Sequence, residues 1–192
     1  LFKRENNVLY NLFEYYFSKV NGDIMFQILT PLFLYIPIYF MVGLRNNFIT
    51  FLLSSTIMVL SCLAATSLGY LFGSVVNNID VGLTLMNIVI LPLMIGGGFF
   101  INVDSIPIYL IWLKYISFFK YAFENMMILE WEGKSIDCDD NCYLTNGDQV
   151  LEFYNIDKRY FRINFLILLL FSIFFRIITY FILKYKVKNM YV

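Results

Sequence analysis

The chain of 192 residues contains no histidine. His-based general acid–base chemistry, Ser-His or Cys-His nucleophilic pairs and imidazole metal ligands are therefore excluded from this segment. Charge is scarce as well. Only 15% of residues are Asp, Glu, Lys or Arg, where soluble domains carry about a quarter. Acidic and basic side chains balance to zero net charge, so nothing predicts a nucleic-acid partner. No G-x-x-x-x-G-K-[S/T] phosphate loop, no G-x-S-x-G elbow and no paired intramembrane aspartates occur, so neither nucleotide binding nor an intramembrane hydrolase is written in these residues. The first residue is Leu1 rather than Met, and no cleavable signal pattern follows it. This predicts a piece of a longer chain.

Three cysteines are present. Cys62 lies in an apolar run, where it reads as a small packing residue. Cys138 and Cys142 lie in an acidic stretch. If that stretch is outside, an oxidising space makes a disulfide the leading expectation, to each other or to another chain. A zinc site is the lesser alternative, because no further Cys or His completes one. No metal site is expected.

What is abundant is hydrocarbon: 60% of residues are hydrophobic and 20% aromatic. The ionisable residues fall between long apolar runs and sort by sign. Lys3, Arg4 and Lys19 stand at the start and Lys184, Lys186 and Lys188 at the end. The region from Asp104 to Asp157 is acid-rich, with Glu124, Glu130, Glu132, Asp137, Asp139, Asp140, Asp148 and Glu152 against Lys114, Lys120 and Lys134. Basic flanks stay cytoplasmic. Both ends read as inside, the acid-rich loop as extracellular or lumenal, and the number of spans as even. The expected fold class is an all-α integral membrane protein with four transmembrane helices, multi-pass in a plasma or organelle membrane.

Residues 1–22 carry aromatics at Tyr10, Phe13, Tyr16 and Phe17, spacings that suit an amphipathic helix. Asn21-Gly22-Asp23 is a break signal. Spans are expected at 24–43, 48–76, 82–103 and 161–183, each near the 20 or so apolar residues a crossing needs. Pro31 and Pro37 would kink the first. The second carries small and hydroxyl residues, including Ser67, Gly69 and Gly73, which let helices approach closely. The third should loosen near Gly96-Gly97-Gly98. These glycines read as a hinge or as a close-packing, helix-ending site. Residues 104–160 divide into an interrupted apolar stretch, 106–129, expected as a re-entrant or interfacial helical pair, and a polar loop, 130–160. Asn87 is costly to leave facing lipid, so a cavity or another helix should receive it. Glu124 reads as functional or as a salt-bridge partner of Lys120. Arg176 reads as an anchor that snorkels to the inner interface.

Several segments together resemble the membrane domain of ABC transporters of the G (white, or breast-cancer-resistance) subfamily. FKRE (2–5) with YYFSK (15–19), MVGL (41–44) and SLGYLFGS (67–74) are similar to family segments. The most specific stretch is GGGFFINVDSIPIYLIWLKYISFFKYAFENMMILEWEG (96–133). The resemblance covers essentially the whole chain and implies the C-terminal four of six transmembrane helices of an ABC-2 type exporter domain. YYFSK has one residue fewer before its lysine than the usual pattern.

The resemblance further implies a half-transporter whose ATP-binding domain, with ATP and Mg, precedes the membrane domain in the same chain. No cofactor is implied for this segment itself. Two halves would form a homo- or heterodimer around a cavity for hydrophobic or amphipathic small molecules in membrane lipid. Residues 2–19, with Glu5, Tyr10 and Glu14, would be the cytosolic coupling helix; Glu5 and Glu14 read equally as a solvated face. Asn87, Leu91 and Met94 would line the substrate cavity, and Phe99 and Phe100 would form a plug. An alternative from a different class is a four-span scaffold or adhesion protein with a cysteine-bearing ectoloop.

Overall fold

The computed structural model describes residues 12–76, 78–98, 111–135 and 146–189. Among these residues every regular element is helical, apart from one isolated antiparallel bridge between Ser135 and Asn146. In chain order the helices are α1 (Leu12–Val42), α2 (Phe48–Val75), α3 (Ile79–Ile95), α4 (Ile111–Ile116), α5 (Phe118–Trp131), α6 (Gly147–Phe153) and α7 (Phe161–Asn189). A 3₁₀ turn at Lys158–Tyr160 leads into α7.

Helix α1 corrects the sequence expectation. Asn21-Gly22-Asp23 does not end a cytosolic helix before the membrane; one helix of 31 residues runs from Leu12 to Val42. The local cost is small, since a mid-helix glycine loses about 1 kcal/mol against alanine. The Asp23 carboxylate, which would otherwise turn the backbone, is held by the Tyr70 hydroxyl of α2 at 2.7 Å. Pro31 and Pro37 also lie inside the helix. Its end is a Schellman turn: Gly43 takes φ +69° and Leu44 N–H reaches back to Tyr39 C=O at 3.3 Å. The Asn47 side chain then caps α2 through Ile49 N–H.

Helix α2 is the spine. Its Ile57, Leu60, Ala64 and Leu68 are buried with Leu93 of α3, Phe118 and Tyr121 of α5 and Leu168 of α7. Hydroxyl groups in a bilayer need partners, and here they find them within the helix. Ser54, Ser55, Ser61, Ser67 and Ser74 each donate to a carbonyl three or four residues back, at 2.6–3.0 Å. Ser67 is fully buried and Ala64 likewise, so α7 can approach closely.

Three stretches are long and apolar enough to cross a membrane: Leu12–Val42, Phe48–Val75 and Lys158–Lys188. The expected third span, 82–103, is represented among the described residues by the shorter helix α3, of 17 residues. At about 1.5 Å per residue it reaches about 26 Å, under the ~30 Å hydrocarbon core. It stops at the glycine run, as the sequence led us to expect. Gly98 adopts φ +83°. Gly96 and Gly97 are close-packing sites: a Cβ on Gly97 would stand 2.9 Å from the Cβ of Phe119, and one on Gly96 3.3 Å from Leu113. Ser117, between α4 and α5, donates to Leu93 C=O at 2.6 Å and fastens that corner to α3.

Candidate functional site: a polar chain across three helices

The termini-side end of the bundle holds a chain of hydrogen bonds joining α1, α2 and α7. Arg176 Nη2 donates to Gln27 Oε1 at 2.8 Å, and Gln27 Nε2 donates to the Tyr70 hydroxyl at 2.9 Å. Tyr70 in turn donates to Asp23 Oδ2 at 2.7 Å. Arg176 Nε also donates to Ser67 Oγ at 3.1 Å. All donors in this chain point from the cation toward the anion. Gln27 and Ser67 are buried, and Arg176 and Asp23 are half-buried. Helical period places Asp23 and Gln27 one turn apart on α1, and Ser67 and Tyr70 one turn apart on α2. From Asp23 to Val42 the rise is about 28 Å, close to the ~30 Å thickness of a hydrocarbon core.

Two further contacts tie the same end. The Tyr16 hydroxyl donates to Arg176 C=O at 2.9 Å. Lys186 Nζ donates to the carbonyls of Ser74 and Val75 at 3.1 and 3.3 Å, which satisfies open acceptors at the C-terminus of α2 and suits its dipole.

The opposite end joins α5 to α7. The fully buried Asn125 amide lies between Phe161 C=O and Phe165 N–H, 3.2 Å from each, with its nitrogen toward the carbonyl. Those are the groups a helix pairs with each other, so α5 is stitched into the ladder of α7. Asn164 donates to Glu124 Oε2 at 2.7 Å, and Glu124 also pairs with Lys120 at 3.4 Å. The expected bridge to Lys120 exists, and Asn164 of α7 shares the same carboxylate. Arg45 reaches α5 through its own N–H to Glu130 (3.0 Å) and its guanidinium to Glu132 C=O (2.7 Å).

The expected site residues divide into three groups. Asn87 and Leu91 lie on the exposed side of α3 with Leu83, and Met94 is half-buried beside them. Glu14 is exposed on the first turn of α1. Glu5, Tyr10, Phe99, Phe100, Cys138 and Cys142 lie outside the described residues. Arg176 departs from its expected role: its guanidinium turns between the helices to Gln27 and Ser67. The sequence reading also missed Gln27 and Asp23. The signal was available, because an amide in an apolar run needs a partner. That logic was applied to Asn87 and applies equally to Gln27.

A bundle of long apolar helices whose polar side chains are satisfied internally defines an integral membrane protein. The ABC-2 type transporter family matches residues 1–131. The chain belongs to that family, in its white/G-type branch. It is 34% identical over 199 residues to the ABC transporter ATP-binding protein/permease wht-1 of Caenorhabditis elegans, covering 97% of this chain and 29% of that protein. It is 30% identical over 201 residues to Protein white of Drosophila melanogaster, covering 98% of this chain and 28% of the relative. ABC transporter G family member 1 of Dictyostelium discoideum is 30% identical over 194 residues, covering 94% and 24%. The chain thus spans under a third of the length of these relatives. The match removes the ground for the scaffold alternative.

Proposed function

We propose that this chain is the membrane-spanning part of an ATP-driven exporter that moves hydrophobic or amphipathic molecules by alternating access. The observation that carries the reading is the union of α1 continuity with the Asp23–Tyr70–Gln27–Arg176 chain. A push on the cytosolic start of α1 is not absorbed at Asn21-Gly22-Asp23. It passes along one rigid helix to Gln27 and from there to α2 and α7. Packed helices that shift together give a two-state change.

In this reading residues 2–19, including Glu5, Tyr10 and Glu14, receive the push from an ATP-binding domain of the same chain. ATP and Mg belong to that domain. This segment has no phosphate loop, and among the described residues no three His, Cys, Asp or Glu side chains converge as metal ligands would. A second half-transporter covers the exposed face of α3. Asn87, Leu91 and Met94 then line an apolar cavity that desolvates cargo without a specific charge. Phe99 and Phe100 form the plug above it, where α3 has ended at its glycines. Helix α3 belongs to the third of four spans, 82–103, and α4 and α5 dip into the membrane as the re-entrant pair. Both termini are cytoplasmic. Cys138 and Cys142 face the oxidising side and form a disulfide within the chain or across the dimer.

The test is ATP hydrolysis and transport by the full-length protein in lipid vesicles, with a panel of apolar amphipaths as cargo. ATP-dependent accumulation of at least one, with stimulated hydrolysis, is the expected result. Cargo binding with no ATP dependence of movement contradicts the proposal.

A further inference from the structure

At the end of the bundle away from Leu12 and Asn189, a cavity of about 590 Å³ opens between α2, α5 and the start of α7. Its floor is hydrocarbon, from Leu53, Ile128, Leu129 and Phe161. Its rim carries four charged side chains, and two of them are already partnered. Lys158 Nζ donates to Asp148 Oδ1 at 2.6 Å, and Arg159 Nη2 donates to Asp157 Oδ2 at 2.6 Å. The other two are Glu132 and Arg162. Neither carboxylate nor guanidinium makes an ion pair or hydrogen bond among the described residues; Glu132 offers only its backbone carbonyl, to Arg45.

Among the described residues the rim therefore presents a carboxylate, Glu132, whose charge acts on Lys158 only through space, and a guanidinium, Arg162, outside any ion pair, beside an apolar floor. It does so at the start of an apolar stretch long enough to cross a membrane, where headgroups would lie. We propose that this cavity binds a zwitterionic glycerophospholipid with an ethanolamine headgroup. The Arg162 fork suits the phosphodiester. Glu132 accepts from the primary ammonium. An acyl chain lies along Leu53, Leu129 and Phe161. A lipid of net negative charge uses Arg162 but meets Glu132, so the pair selects headgroup charge and not phosphate alone.

The inference needs the membrane placement of the chain and does not need ATP-driven transport, so either can fail alone. The experiment is native mass spectrometry of the full-length protein, released from membranes and exposed to equal amounts of phosphatidylethanolamine and phosphatidylglycerol of matched acyl chains. Wild type should retain phosphatidylethanolamine over phosphatidylglycerol by about tenfold, the ratio that one charge-assisted contact supplies. Arg162→Gln should abolish retention of both. Glu132→Arg should invert the preference, because the rim then loses its carboxylate and gains a cation beside Lys158, Arg159 and Arg162. The double exchange Glu132→Arg with Arg162→Glu should restore the ethanolamine preference. Both side chains are exposed, so these variants test binding and not folding, and the double exchange keeps the test valid if a single variant misfolds. Equal retention of the two lipids in wild type, no lipid retained at all, or a preference unchanged in Glu132→Arg overturns the proposal.

Discussion

The two ends of the helical bundle handle charge in opposite ways. At the termini-side end, one cation and one anion are joined through neutral groups into a closed chain across α1, α2 and α7. At the other end, charges pair locally on the surface, as Arg159 does with Asp157 two residues away, or make no ion pair within contact among the described residues, as with Glu132 and Arg162. The difference follows from surroundings. Hydrocarbon makes an unsatisfied polar group expensive, so every member of the buried chain is held in place by its neighbours. Water and headgroups screen the exposed charges, and each contributes little to holding the fold. The proposed coupling belongs to the first end and the proposed lipid binding to the second.

The comparison breaks most readily at Arg176. Arg176→Leu strands the Gln27 carbonyl oxygen and the Asp23 charge, and should cost about 3 kcal/mol. Thermal unfolding of the purified full-length protein measures it. Adding Asp23→Asn should recover part of the loss, and strict additivity of the two variants would mean that they do not share one chain.

Gly97→Ala separates close packing from polar satisfaction. The new methyl meets Phe119 at 2.9 Å and Met94 C=O at 3.1 Å, so a cost of about 2 kcal/mol is expected from overpacking. The same unfolding measurement reads it, and a neutral result would show that the α3–α5 corner has room to move. Tyr70→Phe removes one bond at each side of a single hydroxyl while keeping the ring. About 1 kcal/mol is expected, in line with hydrogen bonds between membrane helices.

The smallest effect is expected at the exposed end. The hydrogen bond from Lys158 holds the Asp148 carboxyl below its ordinary value, and the same bond raises Lys158. A depressed carboxylate contributes above its ordinary pKa and loses that contribution as pH falls through the depressed one. A raised lysine contributes below its ordinary pKa and loses it as pH rises through the raised one. The pair should therefore hold across neutral pH and open in acid. Hydrogen exchange of residues 147–153 should speed up in acid relative to an Asp148→Asn control, with no change in global unfolding. A global change would place this surface pair in the same class as the buried chain.

Much of the architecture was legible from composition and period. The apolar runs became helices near their expected positions, and the glycine run ended α3. What escaped was set by partners distant in sequence. Gly22 looks like a break locally, yet α1 continues because Asp23 finds Tyr70, 47 residues away. Arg176 looks like a snorkelling anchor on its own helix, but the cross-chain neighbours Gln27 and Ser67 hold it. Lys158, Arg159 and Arg162 stand just past the acid-rich stretch that fixed the expected orientation, and their pairing shows only in three dimensions. The uncovered face of α3 was legible in part, since Asn87 in an apolar run already asked for a cavity or a helix.

The most direct test of the coupling role assigned to the buried chain is made on Gln27→Leu in the full-length protein, reconstituted in lipid vesicles. ATP hydrolysis and ATP-dependent cargo movement are measured side by side. Hydrolysis should persist while movement per ATP falls by about tenfold, the size of an ordinary coupling free energy. An unchanged ratio of movement to hydrolysis would contradict the claim that α1 drives the bundle through Gln27.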